Sequence, residues 1–164
     1  MIKKIIYIIS FCIFSQFISA AGSDSSSSSS ASDGSDNYLN QYKEAKQLVN
    51  KAKKLEKKGK NEKAIKLYNS AHKKLLEAYK TERRNPDILN YLGFSLRKIG
   101  NFDQAEKYYL EGLEIKPNHN GINEYLGELY IQTNRMDKAK ERLVVLKECN
   151  CEEYNELKNL IEKN

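Results

Sequence analysis

The chain has 164 residues, with 28 Lys and Arg against 22 Asp and Glu, three Cys, two Pro and no Trp. This length supports one modest domain with its own core and excludes a multidomain enzyme. Hydrophobic residues make up 40% and charged residues 30%, and no apolar run reaches the roughly 18 residues of a membrane span. The composition therefore excludes a transmembrane bundle and a disulfide-dense scaffold, and it favours helices.

Residues 1–21 have the three parts of a bacterial Sec-type signal peptide. Lys3 and Lys4 precede an apolar stretch, and Ser19 and Ala21 are small residues at the spacing that signal peptidase requires. We expect cleavage after Ala21 and a periplasmic or secreted protein. The alternative is an uncleaved membrane anchor, which the polar residues inside the apolar stretch disfavour.

Residues 22–36 contain six consecutive serines and three Asp. Such a segment buries too little apolar surface to offset its chain entropy, so it is predicted to be a disordered linker. The folded domain is then expected over residues 37–164.

Two short motifs recur 34 residues apart and in the same order. Tyr-Leu-Gly at 91–93 returns at 125–127, and Asp-Gln-Ala at 103–105 returns as Asp-Lys-Ala at 137–139. A weaker third copy lies upstream at 59–64, with seven additional residues before the next copy. A fixed period of this size indicates stacked repeat units.

Within each unit the apolar residues recur every three or four positions, as on one face of an amphipathic helix. Ala64, Tyr68, Ala71 and Leu75 form one such stripe. Gly and Pro residues mark the ends of the stripes. The predicted helices span about 38–58, 61–82, 86–99, 102–115, 120–133, 136–148 and 152–163.

These motifs resemble the tetratricopeptide repeat family, whose pattern of small, aromatic and apolar residues extends over 34 residues of paired helices. In the middle copy, Leu92, Gly93, Ala105, Tyr109 and Pro117 fall on that pattern. The resemblance implies an all-α fold, a right-handed superhelix of about three antiparallel helix pairs with a C-terminal capping helix. The implied limits are about 45–85, 86–119 and 120–151 for the repeats and 152–164 for the cap.

The resemblance also implies a non-enzymatic module that binds a peptide or protein segment, here of another cell-envelope protein, in a concave groove. In the family this groove is lined by first-helix residues that face away from the packing positions. Carried onto this chain, those residues are Val49, Lys53, Lys57, Asn90, Phe94, Arg97, Glu124, Glu128 and Ile131.

Phe94 is the most specific of these expectations, because Leu92 and Leu96 on the same helix are predicted to point inward. If Phe94 is exposed, it supplies an apolar anchor of the kind that dominates binding energy. The alternative is that Phe94 packs against the neighbouring repeat, since helix phase does not decide between the two.

The sequence contains no convergent set of catalytic residues. His72 and His119 are predicted to be surface histidines without a nucleophile to activate. Cys149 and Cys151 have no His or further Cys at metal-ligand spacing, and no glycine-rich phosphate loop is present. We therefore expect no catalytic residue, no metal and no cofactor.

Removal of the signal peptide would leave only Cys149 and Cys151. In an oxidising compartment such a pair normally oxidises, so a disulfide at the junction between the last repeat and the cap is predicted. The alternative is two buried apolar cysteines. The run from Cys149 to Tyr154 also resembles short secreted bacterial repeat proteins with a C-terminal cysteine pair.

Basic charge is concentrated in one part of the chain. Residues 37–84 carry 15 Lys or Arg and 5 Asp or Glu, whereas residues 85–164 carry 11 and 14. One interpretation is a structural protein that its basic N-terminal helices hold against a polyanionic surface; the other is a solvated helix face. With five Arg among 28 basic residues, and with export expected, nucleic acid is not an expected partner.

Overall fold

The structure is a computed structural model that describes residues 32–164. The predicted signal peptide and residues 22–31 of the predicted linker lie outside the described residues. The described part is built of helices joined by short turns, and it contains no strand. The helices are α1 (Ser32–Glu56), α2 (Asn61–Thr81), α3 (Pro86–Lys98), α4 (Phe102–Ile115), α5 (Asn120–Gln132), α6 (Met136–Leu146) and α7 (Glu152–Glu162).

Consecutive helices pack in antiparallel pairs, as short helix–helix turns require. The pairs are α1 with α2, α3 with α4 and α5 with α6, and each pair contacts the next through α2–α3 and α4–α5. Helix α7 packs on α5 and α6 and closes the array. The prediction of an all-α solenoid of three helix pairs with a capping helix is confirmed. Between residues 32 and 164, no helix has the combination of length and hydropathy that crossing a membrane requires.

Helix α1 begins earlier than predicted. It starts at Ser32 rather than near residue 38, so the last five residues of the segment predicted as linker are helical. Apolar periodicity gave no sign of this extension because residues 32–36 are polar or Gly.

The turn after the first helix of each pair has the same left-handed backbone. The residues concerned are Gly59 with φ 69°, Gly100 with φ 86° and Asn134 with φ 57°. Gly adopts this conformation without a steric cost, and Asn tolerates it best among the other residues. The next amide then bonds back to the helix, as when Asn101 N donates to the Leu96 carbonyl oxygen at 2.9 Å.

Both histidines make structural contacts, so their prediction as surface residues is wrong. His119 is 8% exposed and caps α5, because its Nδ1 accepts a hydrogen bond from the Ile122 amide at 3.2 Å. His72 is half-buried on α2, and its Nδ1 lies 3.2 Å from the Ser95 hydroxyl oxygen. Burial lowers the pKa of His72.

Glycines in the first helices allow close approach of their partners. A Cβ at Gly93 would lie 2.5 Å from the ring of the buried Tyr109, and one at Gly127 would lie 2.6 Å from Leu157. Tyr109 belongs to the second helix of the same pair, whereas Leu157 belongs to the capping helix. The capping helix therefore fills in the third pair the position that α4 fills in the second.

Val49 is a core residue, and its prediction as a groove residue is wrong. It is 1% exposed and lies in the same cluster as Ala45 and Ala52. These three residues are spaced by four and three positions, which places them on the face of α1 that packs against α2.

The two cysteines lie together in the turn between α6 and α7. The sulfur atoms of Cys149 and Cys151 are at bonding distance, with Cα atoms 5.2 Å apart. Asn150 between them has φ 48°, the left-handed conformation that brings the flanking residues round to each other. The expected pairing thus joins the end of the last repeat to the start of the cap.

Candidate functional site

A pocket of about 220 Å³ lies among α1, α3, α5 and α7, the first helices of the three pairs and the capping helix. No residue of α2, α4 or α6 lines it. We call it the central pocket. Its lining residues are Lys53, Glu56, Lys57, Phe94, Arg97, Lys98, Glu124, Tyr125, Glu128 and Glu156.

The central pocket contains most of the predicted groove residues. Three of those predicted, Val49, Asn90 and Ile131, do not line it. Asn90 is 6% exposed and lies beside Gly121, in the contact between α3 and the start of α5. Ile131 packs against the second core cluster. The six that do line it are Lys53, Lys57, Phe94, Arg97, Glu124 and Glu128.

Phe94 is not an exposed anchor, so the first interpretation of this residue is wrong and the alternative holds. It is 3% exposed and lies between two tyrosines, edge-on to Tyr68 and tilted against Tyr125. Its ring centroid lies 5.8 Å from that of Tyr68 on α2 and 4.8 Å from that of Tyr125 on α5. The side of α3 that carries Phe94 is covered, because α1 and α5, the first helices of the neighbouring pairs, both contact α3. Phe94 therefore forms the floor of the pocket.

Two cations lie over this aromatic floor. The Lys53 ammonium is 4.6 Å from the Phe94 centroid and 5.3 Å from the Tyr125 centroid, and it donates to the Tyr125 hydroxyl at 3.1 Å. The Arg97 guanidinium is 5.4 Å from the Phe94 centroid. Cations are attracted to the faces of aromatic rings, and most strongly where water is excluded.

Ion pairs neutralise part of the pocket. Arg97, which is 4% exposed, pairs with Glu128 at 2.7 Å. Lys98 pairs with Glu56 at 2.8 Å. The Tyr68 hydroxyl also donates to Glu56 at 2.8 Å.

The remaining charged groups of the pocket are separated by sign. Lys53 and Lys57 lie on the α1 side, and neither makes an ion pair with a carboxylate of residues 37–164. Glu124 on α5 and Glu156 on α7 lie on the opposite side. The pocket therefore has a basic end and an acidic end, separated by the aromatic floor.

Glu124 is the most perturbed titratable group of the pocket. It is 3% exposed, and its Oε1 is buried without a hydrogen-bond partner. Burial, a hydrogen bond with Glu156 and the charge of Glu128 raise the pKa of Glu124 to about 10. Glu124 is therefore protonated at neutral pH.

Four lining residues were not predicted. Glu56 and Lys98 lie at the ends of α1 and α3, and Tyr125 belongs to the repeated Tyr-Leu-Gly motif. Glu156 lies on the capping helix. Glu153 and Glu156 are three residues apart and so share one face of α7. This spacing is the sequence signal that could have predicted an acidic face on the capping helix.

The described residues hold no metal-binding group. Nowhere between residues 37 and 164 do three or more His, Cys, Asp or Glu side chains converge as metal ligands would. The carboxyl groups of Glu128 and Glu56 in the central pocket are instead paired with Arg97 and Lys98.

Two family models match the chain. Residues 86–119, which comprise α3, α4 and the turn before α5, match the tetratricopeptide repeat. Residues 42–93 match the MIT (microtubule interacting and transport) domain. The curated human protein O-mannosyl-transferase TMTC3 is 28% identical to this chain over 80 residues, which are 49% of this chain and 9% of TMTC3. The mouse protein is 26% identical over 80 residues, so this chain matches only about a tenth of the length of these relatives.

Solved structures share the fold. The type III secretion translocator chaperone SycD of Yersinia enterocolitica superposes with a TM-score of 0.54 at 19% identity, over 73% of this chain and 89% of SycD. SycD in complex with a peptide of the translocator YopD superposes with a TM-score of 0.51 at 21% identity, over 72% of this chain and 86% of SycD. The second TPR domain of human RPAP3 in complex with an HSP70 peptide superposes with a TM-score of 0.50 at 18% identity, over 77% of this chain and 99% of that domain. The described chain is thus an all-α tetratricopeptide repeat solenoid.

Proposed function

We propose that this tetratricopeptide repeat solenoid is an exported, non-enzymatic module that holds an extended segment of another protein in its central pocket. The observation that carries the proposal is the pocket itself. It is lined by all three first helices and the cap, and it has a basic end, an aromatic floor and an acidic end. A bound segment that complements it has an acidic residue toward α1 and a basic residue toward α7.

The solved relatives support this use of the fold. SycD and the second TPR domain of RPAP3 were each solved with a peptide. In a solenoid, the surface formed by successive first helices is continuous, so one extended segment can contact several repeats at once. The amino acids that line the pocket here, and not the fold, determine which segment fits.

Export and a cell-envelope partner form part of the proposal. Residues 1–21 have the order of a signal peptide, and the cysteine pair is suited to an oxidising compartment. The partner is then expected to be another protein of the cell envelope or a secreted protein.

A second candidate function rests on the basic surface at the junction of α1 and α2. Lys51, Lys54, Lys58, Lys60 and Lys63 are all exposed there and do not line the central pocket. Such a surface suits a polyanionic envelope component, and salt would release that complex steeply. A segment held on the partly buried aromatic floor would tolerate salt better.

Photo-crosslinking from single positions in the producing cells tests the proposal. A photoreactive residue at Lys57, on the rim of the central pocket, is expected to capture one discrete partner protein. The matched position Leu110, which is 44% exposed on α4, is expected to capture none. Mass spectrometry of the adduct also shows whether the mature chain begins at Gly22.

Two outcomes would contradict the proposal. Capture from Lys60 on the basic surface but not from Lys57 would favour the polyanion interpretation. An adduct that still carries Lys3 and Lys4 would contradict cleavage of the signal peptide.

A further inference from the structure

The acidic end of the central pocket is built from two helices that are far apart in sequence. Glu124 lies on α5 and Glu156 on the capping helix α7, and both side chains line the pocket. Burial disfavours an ionised carboxylate, and so does a second carboxyl group nearby. Burial and the neighbouring Glu156 and Glu128 accordingly raise the pKa of Glu124 to about 10, so Glu124 holds a proton at neutral pH.

The neighbouring charges do not neutralise this carboxyl pair. The guanidinium of Arg97 on α3 is paired with Glu128 at 2.7 Å. Arg142 on α6 reaches Asn123 instead, where its Nη1 donates at 3.3 Å. The Lys53 ammonium is held by the Tyr125 hydroxyl. The titratable groups that face Glu124 are Tyr109 on α4, Tyr125 and Glu128 on α5, and Glu153 and Glu156 on α7.

The buried Glu124 side chain still lacks one partner. Its Oε1 is inaccessible to water and receives no hydrogen bond from the described residues, although the side chain lines the pocket. A buried acceptor without a donor is costly, and a cationic donor satisfies it best.

The floor beside this carboxyl pair already accepts a cation. The Lys53 ammonium lies over the rings of Phe94 and Tyr125. Tyr125 is the residue that follows Glu124, and both line the same pocket. Lys53 and Arg97 already lie over these rings, which shows that this part of the pocket favours cations, and the carboxyl groups of Glu124 and Glu156 are the groups left to bind a further ammonium.

We propose that the acidic end of the central pocket is a recognition site for a lysine side chain of the bound segment. This inference rests on the proposed function and names one residue of its ligand. The lysine ammonium enters between the two carboxyl groups and donates to both. The proton that Glu124 holds passes to solvent, so one positive charge replaces another and binding is coupled to pH.

Lysine binding releases a proton, so raising the pH favours it because the concentration of free protons in solution is then lower. Glu124 is protonated at neutral pH, since its pKa lies near 10. The affinity for lysine is therefore expected to rise as the pH rises from 6 to 8, before the ligand ammonium itself titrates.

Nuclear magnetic resonance on the mature chain tests the site without knowledge of the natural partner. The probe is Nα-acetyl-lysine-N-methylamide, and its matched control is the norleucine analogue, which has the same aliphatic stem without the ammonium. The lysine probe is expected to shift the carboxyl carbon of Glu124 toward its ionised position, with millimolar affinity. The Glu124→Gln and Glu156→Gln variants are expected to weaken this binding at least about fivefold, because each removes one charged acceptor. Glu114→Gln, at an exposed position on α4, is expected to leave it unchanged.

Equal shifts with the lysine and norleucine probes, or lysine binding that Glu124→Gln does not weaken, would overturn the lysine site. Capture of a partner from Lys57 would then still support the central pocket as the interaction surface. Conversely, a lysine site that passes this test while position 57 captures nothing would remove the proposed function and leave the site itself established.

Discussion

Replacing Tyr109 by alanine is expected to lower the free energy of unfolding by about 3–5 kcal/mol, the usual cost of truncating a buried aromatic side chain. Tyr109 is fully buried on α4, and its ring lies against Gly93 on α3. The neighbouring Leu110 is 44% exposed, so Leu110→Ala is expected to cost less than about 1 kcal/mol. Urea unfolding followed by circular dichroism measures both variants.

The contact between Gly93 and Tyr109 predicts that the effect of Gly93→Ala on the free energy of unfolding changes sign when Tyr109 is removed. In the native chain, Gly93→Ala is expected to be destabilising, because the new Cβ would lie 2.5 Å from the Tyr109 ring. In the Tyr109→Ala background that obstacle is gone, and the same substitution is expected to stabilise α3 by up to about 1 kcal/mol through helix propensity. A Gly93→Ala effect that is the same in both backgrounds would contradict the packing described for this helix pair.

Replacing Glu124 by glutamine is expected to stabilise the protein by about 1–3 kcal/mol at pH 7. In the unfolded chain Glu124 ionises near pH 4.5, whereas in the folded chain its pKa is about 10. Between these values the folded state holds a proton that the unfolded state has lost, so the stability contributed by this group falls as the pH rises. Glutamine keeps the shape of the neutral carboxyl group without this loss.

The pH dependence identifies the cause of the effect. The stability difference between the Glu124→Gln variant and the native chain is expected to be small at pH 4 and to grow steadily toward pH 8. Glu114→Gln, at an exposed position of α4, is expected to stay within about 0.5 kcal/mol of the native chain throughout. A difference that does not change with pH would show that Glu124 is ionised in the folded protein.

The repeat architecture was predictable because it is encoded locally. Gly93, which gives Tyr109 room, and the turn residues Gly59 and Gly100 each act within one helix pair. Their effects do not depend on how the pairs stack. The predicted helix boundaries from residue 61 to residue 163 accordingly agree with the structure to within about two residues.

The character of the site was less predictable because it depends on contacts between pairs. Helix phase placed Phe94 on the side of α3 away from Leu92 and Leu96, but it did not show that Tyr68 and Tyr125 cover that side. Similarly, the charge of Glu124 could be read from the sequence, whereas its protonation arises from burial and from Glu156 on the capping helix.

The capping helix makes the contacts that were hardest to predict from the sequence. By analogy with Gly93 and Tyr109, Gly127 would be expected to pack against α6 of its own pair. Instead Leu157 of α7 occupies that position, and the same helix brings Glu156 into the pocket. No local pattern contains this arrangement, because it follows from how α7 lies across α5 and α6.

The affinity of the captured partner segment for two adjacent charge-reversal variants tests the central claim most directly. Lys57 lines the central pocket, whereas Lys58 is exposed on the neighbouring basic surface and does not. Both changes alter the net charge equally, so they differ only in where the charge lies. Isothermal titration calorimetry is expected to show an affinity loss of about tenfold for Lys57→Glu and of less than about twofold for Lys58→Glu. Equal losses for the two variants would mean that the partner reads the basic surface as a whole, and would contradict binding in the central pocket.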